Sequence, residues 1–218
     1  MITPSDKDYQ IAKQIKRGER SISHPYSELA EWIREKYSVN VLNVSYSKIK
    51  PDNRPRLSID LETKTDRKVF EISRFSNDSK KSKRVVQKFS EILENSNLVL
   101  SLKDIFVIFT DFESVARVEA NENVPEEQAN SLIPQFDKEN IWCVQKLFSS
   151  LIIFYHTEAE REQAVKSGMI EKYCESYSKI IKPYDEFGYL NSSPVIPGID
   201  SKENLDKNYG GSWFYYWR

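Results

Sequence analysis

The stretch Arg56-Leu57-Ser58-Ile59-Asp60-Leu61-Glu62 decides the fold class. Leu57, Ile59 and Leu61 alternate with Ser58, Asp60 and Glu62, the two-residue period of a strand with one face in a core and one in water. Just upstream, Leu42-Asn43-Val44-Ser45-Tyr46-Ser47 alternates in the same way, and Pro51-Asp52-Asn53-Arg54-Pro55 between them is a turn by composition. The pair predicts an antiparallel hairpin. Lys64-Thr65-Asp66-Arg67 then reads as a polar turn, and Val69, Phe70 and Ile72 as a third short strand.

Helices are expected on both sides of this segment. Ile11, Ala12 and Ile15 give a thin apolar stripe over residues 5–20, with Ser5 as N-cap. Leu29, Trp32, Ile33 and Tyr37 recur at helical spacing, with Ser27 as cap. Val85, Val86, Phe89, Ile92 and Leu93 mark a third helix, ended by Asn95-Ser96-Asn97. Ile105-Phe106-Val107-Ile108-Phe109 is a continuous apolar run and predicts a central strand buried on both faces.

The polar, acidic stretch from Glu113 to Phe136 reads as a connector with one or two short helices. Beyond it, residues 141–144 and 151–155 predict two strands. Thr157-Glu158-Ala159-Glu160 is a capping box that opens a helix. A turn-rich tail then ends in Trp213-Phe214-Tyr215-Tyr216-Trp217, read as a terminal strand. The expected fold is α+β: a mixed or mainly antiparallel sheet of about six or seven strands with flanking helices. Residues 1–218 are expected to form one compact domain, with an internal boundary near 113–138. The order strand, strand, helix, strand recurs loosely in the two halves, although no matching residues support a duplication.

Composition narrows the function. The chain of 218 residues carries 32 Lys plus Arg against 33 Asp plus Glu, so the strong basic excess of a dedicated nucleic-acid binder is missing. Cys143 and Cys174 form neither a CxxC nor a Cys/His cluster, which excludes a structural zinc motif. With 6 glycines and no GxGxxG or Walker-type loop, nucleotide-dependent chemistry is disfavoured. The polar start, Thr3-Pro4-Ser5-Asp6-Lys7-Asp8, shows no apolar signal region, and no apolar run is long enough to span a bilayer. A cytoplasmic, membrane-free protein is expected.

Four sets of side chains are candidates for function. Asp60, Glu62 and Glu71, with Asp52 and Lys64 as outlying members, approximate the Asp … Glu-x-Lys pattern by which restriction-type nucleases hold Mg²⁺ or Mn²⁺ and orient water. Lys80, Lys81, Lys83, Arg84 and Lys88 gather at the front of a helix, where anions are favoured. Trp213, Tyr215 and Trp217 fall on one face of the terminal strand and would anchor a protein partner if exposed, or stack on bases. Cys143 and His156 form a conceivable nucleophile–base pair. None of these sets is complete. The leading expectation is therefore a non-enzymatic protein-binding module, regulatory or inhibitory, without a cofactor. The alternative is a metal-dependent, restriction-type nuclease-like enzyme, active or degenerate.

Overall fold

A computed structural model describes residues 3–73, 76–136 and 140–218. The fold is mixed α+β, and the eight strands among the described residues form three small sheets rather than one. The chain divides into two compact units, Met1–Val115 and Ala116–Arg218. Among the described residues no helix is long and apolar enough to cross a membrane.

The first unit runs α1 (Lys7–Lys16), α2 (Tyr26–Tyr37), β1 (Val41–Ile49), β2 (Arg54–Leu61), α3 (Lys64–Lys68), β3 (Glu71–Ser73), β4 (Ser76–Asn77), α4 (Ser79–Glu94) and β5 (Phe106–Asp111). The expected hairpin is β1 and β2, antiparallel, with Val44 opposite Ile59. β5 then returns parallel to β2, as a crossover through α4 allows. Strand order is β1-β2-β5, with β3 and β4 forming a separate two-stranded sheet.

Two expectations about this sheet fail. β2, not β5, is central, and Ser58 and Asp60 are buried along with Leu57, Ile59 and Leu61. The supposedly wet face lies under α1, tied down by an ion pair from Lys16 to Glu62 and a longer one from Arg56 to Asp8 at 3.5 Å. The opposite face packs on Leu29 and Ile33 of α2 and on Val85, Phe89 and Ile92 of α4. β5 lies at the edge, with Phe106 exposed, because its continuous apolar run is shared between a core face and a half-covered one. The polar turn at residues 64–67 is also a helix: Thr63 accepts from Asp66 N–H and Asp66 accepts from Thr63 N–H, each at 3.1 Å. Asp66 at the third position does the work usually given to Glu or Gln.

The second unit takes up α5 (Phe112–Asn123), a twelve-residue helix that crosses the division. It continues with α6 (Glu126–Asn130), α7 (Leu132–Phe136), β6 (Ile141–Leu147), β7 (Ser150–Tyr155), α8 (Glu158–Lys166), α9 (Met169–Ile181), β8 (Gly198–Ser201), α10 (Lys202–Tyr209) and α11 (Trp213–Tyr216). The connector is thus more helical than its composition suggests. The aromatic terminus is a helix, not a strand: Trp213 and Tyr216 recur at helical spacing against Phe154.

β6 and β7 are antiparallel and β8 is parallel to β7, in the order β6-β7-β8. This repeats the first sheet strand for strand. Each hairpin has its register shift at the same place, between Val41 and Asn43 and between Ile141 and Cys143. One face of β7, through Leu151, Ile153 and Tyr155, packs on Tyr173, Tyr177 and Ile181 of α9. The fully buried Asn121 of α5 anchors this core. It donates to Phe148 O at 2.7 Å and Ser150 O at 3.1 Å, and accepts from Tyr177 Oη at 2.7 Å.

Candidate functional site

The ends of the two parallel strand pairs are built by one local scheme. In the first unit Glu62 N–H donates to Asn40 O at 2.8 Å, and Glu113 N–H donates to Glu62 O at 3.0 Å. The Glu113 carboxylate accepts from Lys64 N–H, the start of α3, at 3.0 Å. In the second unit His156 N–H donates to Asn140 O at 3.0 Å, and Glu203 N–H donates to His156 O at 3.3 Å. The Glu203 carboxylate accepts from Glu158 N–H, the start of α8, at 3.0 Å. The capping boxes at Thr63–Asp66 and Thr157–Glu160 complete the match. Asn40 pairs with Asn140, Thr63 with Thr157, Arg67 with Arg161 and Glu113 with Glu203, identities that the reading by composition passes over.

Of the acidic candidates of the first unit, Asp60, Glu62 and Glu71 lie around this end, each paired within the protein. Asp60 is 5% exposed and accepts from Thr110 Oγ1 at 2.6 Å and from Asn43 Nδ2 at 3.2 Å. Burial pushes its pKa up to about 6; the two hydrogen bonds oppose that rise and the nearby Asp8 charge adds to it. Glu62 is paired with Lys16. Glu71 Oε1 lies 2.9 Å from Arg67 Nε, and Asp111 Oδ2 lies 3.0 Å from Arg67 Nη1. These are ion pairs without an aligned hydrogen bond at Arg67 Nε or Asp111 Oδ2. The Lys64 side chain and Asp52 are exposed, Asp52 in the hairpin turn. Among the described residues no group of three or more His, Cys, Asp or Glu side chains is placed to hold a metal ion. Sequence reasoning missed Thr110 and Asp111, which the parallel register brings beside Asp60 and Leu61, and Arg67 of α3, which pairs with Asp111. No local signal marks that pairing, because it joins segments fifty residues apart.

Of the other candidates, the basic cluster forms the first turns of α4. Asp78 caps that helix by accepting from Lys80 and Lys81 N–H at 2.9 and 3.1 Å, and these backbone bonds hold its carboxyl below the usual range. The Lys81 ammonium is committed to Val69 O and to Asp78, whereas Lys80, Lys83 and Arg84 are exposed. Cys143 lies on β6, and burial pushes its thiol up, away from the thiolate a nucleophile requires. His156 is exposed and occupies the position of Glu62 in the repeated scheme.

The C-terminal aromatics separate into two faces. The Trp213 ring is stacked on Trp142 at 5.8 Å and meets the edge of Phe154 at 5.0 Å. Tyr216 packs on Phe154 and Tyr209 and donates its hydroxyl to Asp200. Trp217 is half-buried against Tyr216. The outward pair is Phe214 and Tyr215, 63% and 58% exposed, with ring centres 5.4 Å apart. The Arg218 guanidinium lies 4.5 Å above Phe214. Of the expected trio only Tyr215 therefore points outward, because a helix turns Trp213 and Trp217 inward and brings Phe214 out.

Comparison of the chain with known protein families, with curated proteins and with solved structures finds no match.

Proposed function

We propose that this protein is a cytoplasmic, non-enzymatic binding module that holds a protein partner on the outward face of α11. The observation that carries this reading is the exposure of Phe214 and Tyr215 on a helix whose other face is fixed by Trp213 and Tyr216. Neighbouring aromatic rings beside an arginine have the composition of an interface hot spot. The rigid packing behind them lowers the entropy lost on association.

The test is a pair of purifications from native lysate, with wild type and with Phe214→Ser/Tyr215→Ser. A partner held by wild type, lost by the variant and identified by mass spectrometry is expected. That partner must then bind the purified wild-type protein directly and bind the variant at least about tenfold more weakly, a loss of about 1.4 kcal/mol. Equal binding by both forms refutes the reading.

A second reading, the nuclease-like enzyme, draws on Asp60, whose buried carboxyl is raised to about 6 and whose register partner Thr110 immediately precedes Asp111 at the end of β5. It predicts a thermal shift with Mg²⁺ or Mn²⁺ and plasmid nicking abolished by Glu62→Gln or Glu71→Gln. The binding reading predicts neither.

A further inference from the structure

One helix of the first unit stands outside its core. The apolar cluster of that unit lies on the face of the sheet that carries Leu57, Ile59 and Phe109, and among the described residues no side chain of α1 belongs to it. α1 covers the opposite face, over Asp60 and Thr110. Of its ten residues two, Tyr9 and Ala12, are buried. Tyr9 is stacked on Phe112 at 5.0 Å. The ion pairs that join α1 to the sheet, Lys16 with Glu62 and Asp8 with Arg56, lie between partly exposed side chains and add little to stability. A helix held by so little apolar burial opens at lower cost than the core behind the sheet.

The surface under α1 is polar. Three successive cross-strand pairs on that face are Ser47 with Arg56, Ser45 with Ser58 and Asn43 with Asp60. The Ser45 hydroxyl oxygen is buried without a hydrogen-bond partner, a cost that contact with water would remove. A cavity of about 10 Å³ remains between Tyr9 and Ala12 on one side and Asp60 and Thr110 on the other. Asp8 of α1 acts on Asp60 as a like charge, opposed by Arg56. The other charges beside Asp60 are paired, Glu62 with Lys16 and Asp111 with Arg67. Residues 17–21, which follow α1, are exposed throughout, and Gly18 among them has a φ of +76°. Ile22 already packs on the core.

We propose that α1 is a lid, which turns off the sheet about residues 17–21 while the rest of the first unit stays folded, and so governs access to the hydrogen-bonding face around Asp60. Opening gives up the Tyr9 stack and the partly exposed ion pairs. In return it hydrates Ser45 and separates Asp8 from Asp60. The apolar core stays closed behind the sheet. The proposal rests on neither the α11 reading nor the nuclease-like one.

Hydrogen exchange of the intact protein at about pH 7.5, followed amide by amide by NMR, provides the test. The amides of residues 11–16 are expected to share one protection factor, at least about tenfold below that of the β2 amides. Low urea is expected to leave that factor nearly unchanged while it lowers the protection of β2. Tyr9→Ala is expected to reduce α1 protection at least about tenfold further and to leave the α4 amides as they were. Asp60→Asn removes the charge that Asp8 opposes and is expected to raise α1 protection at least about tenfold. The proposal is overturned if the α1 amides exchange only together with those of β2 and with the same urea dependence. It is equally overturned if their rates grade from one end of α1 to the other, as end fraying gives, if Asp60→Asn leaves them unchanged, or if Tyr9→Ala unfolds the whole unit.

Discussion

Across the row next to the strand ends of the first sheet stand Asn43, Asp60 and Thr110; across the same row of the second stand Cys143, Phe154 and Asp200. The backbones around the two rows make the same bonds, so the scheme itself does not require a buried acid. Where the first unit buries a carboxylate under Tyr9 and Ala12 of α1, the second buries an aromatic ring under Trp213 and Tyr216. The second choice is the ordinary way to close a sheet face. The first leaves a cost in place at neutral pH, because Asp60 must lose its proton in a poor environment for charge. Comparing the two rows separates what the architecture demands from what this sequence has added.

The hardest challenge to that comparison is to exchange the residues. Phe154→Asp places an acid where the aromatic cluster leaves no hydrogen-bonding partner like Thr110. It is expected to cost about 4 kcal/mol or to unfold the second unit, as urea denaturation would measure.

A smaller effect is expected from Asp60. Its folded pKa of about 6 lies above the ordinary aspartate value of 3.8, so the folded state holds the proton more tightly than the unfolded chain. Stability is then greatest below about pH 4 for this group and falls as pH rises through 6. The full loss is on the order of 3 kcal/mol. Asp60→Asn should remove this slope and leave the variant more stable than wild type at pH 7.5, as hydrogen exchange of β2 and β5 amides would report. A variant with the wild-type slope would show that Asp60 is not the group responsible.

The smallest effect sharpens the likeness rather than the contrast. Glu113→Gln and Glu203→Gln each weaken one charge-assisted bond to a helix-start N–H. Each is expected to cost about 0.5–1 kcal/mol in its own unit, and the two costs should agree. Unequal costs in thermal or chaotrope unfolding would mean that the repeated geometry is not energetically repeated.

The α+β class, the first hairpin, the strands β6 and β7 and the helix α4 were legible from residues alone, because each rests on a local period. Leu57, Ile59 and Leu61 announce a strand whatever lies on either side. What failed was knowledge of the neighbours. Asp60 looks like a solvent-facing residue until α1 is laid over it, and a pattern of alternation carries no record of a helix forty residues upstream. The run at residues 105–109 looks central because hydrophobicity reports burial and not strand order. Thr63-x-x-Asp66 escaped because Asp at the third position departs from the usual cap, although Thr157-x-x-Glu160 was recognised. The aromatic end misled because large rings alternate in a strand and also divide between the faces of a helix. Candidate site residues were legible as types. Their company, Arg67 with Asp111 or Thr110 with Asp60, is created by the parallel return of β5 and leaves no mark in the local sequence.

The bond from Glu113 to the start of α3 spans 49 positions along the chain, and the bond from Glu203 to the start of α8 spans 45. Polymer loops of such similar length differ in closure entropy by less than about 0.1 kcal/mol. What fills the interval is therefore nearly free to vary: a short helix, a small two-stranded sheet and one long helix before β5 in the first case, a pair of successive helices and a short helical turn before β8 in the second. A lineage could trade or extend these interior passages while the knot at their ends stays fastened, which makes them the natural places to insert foreign sequence.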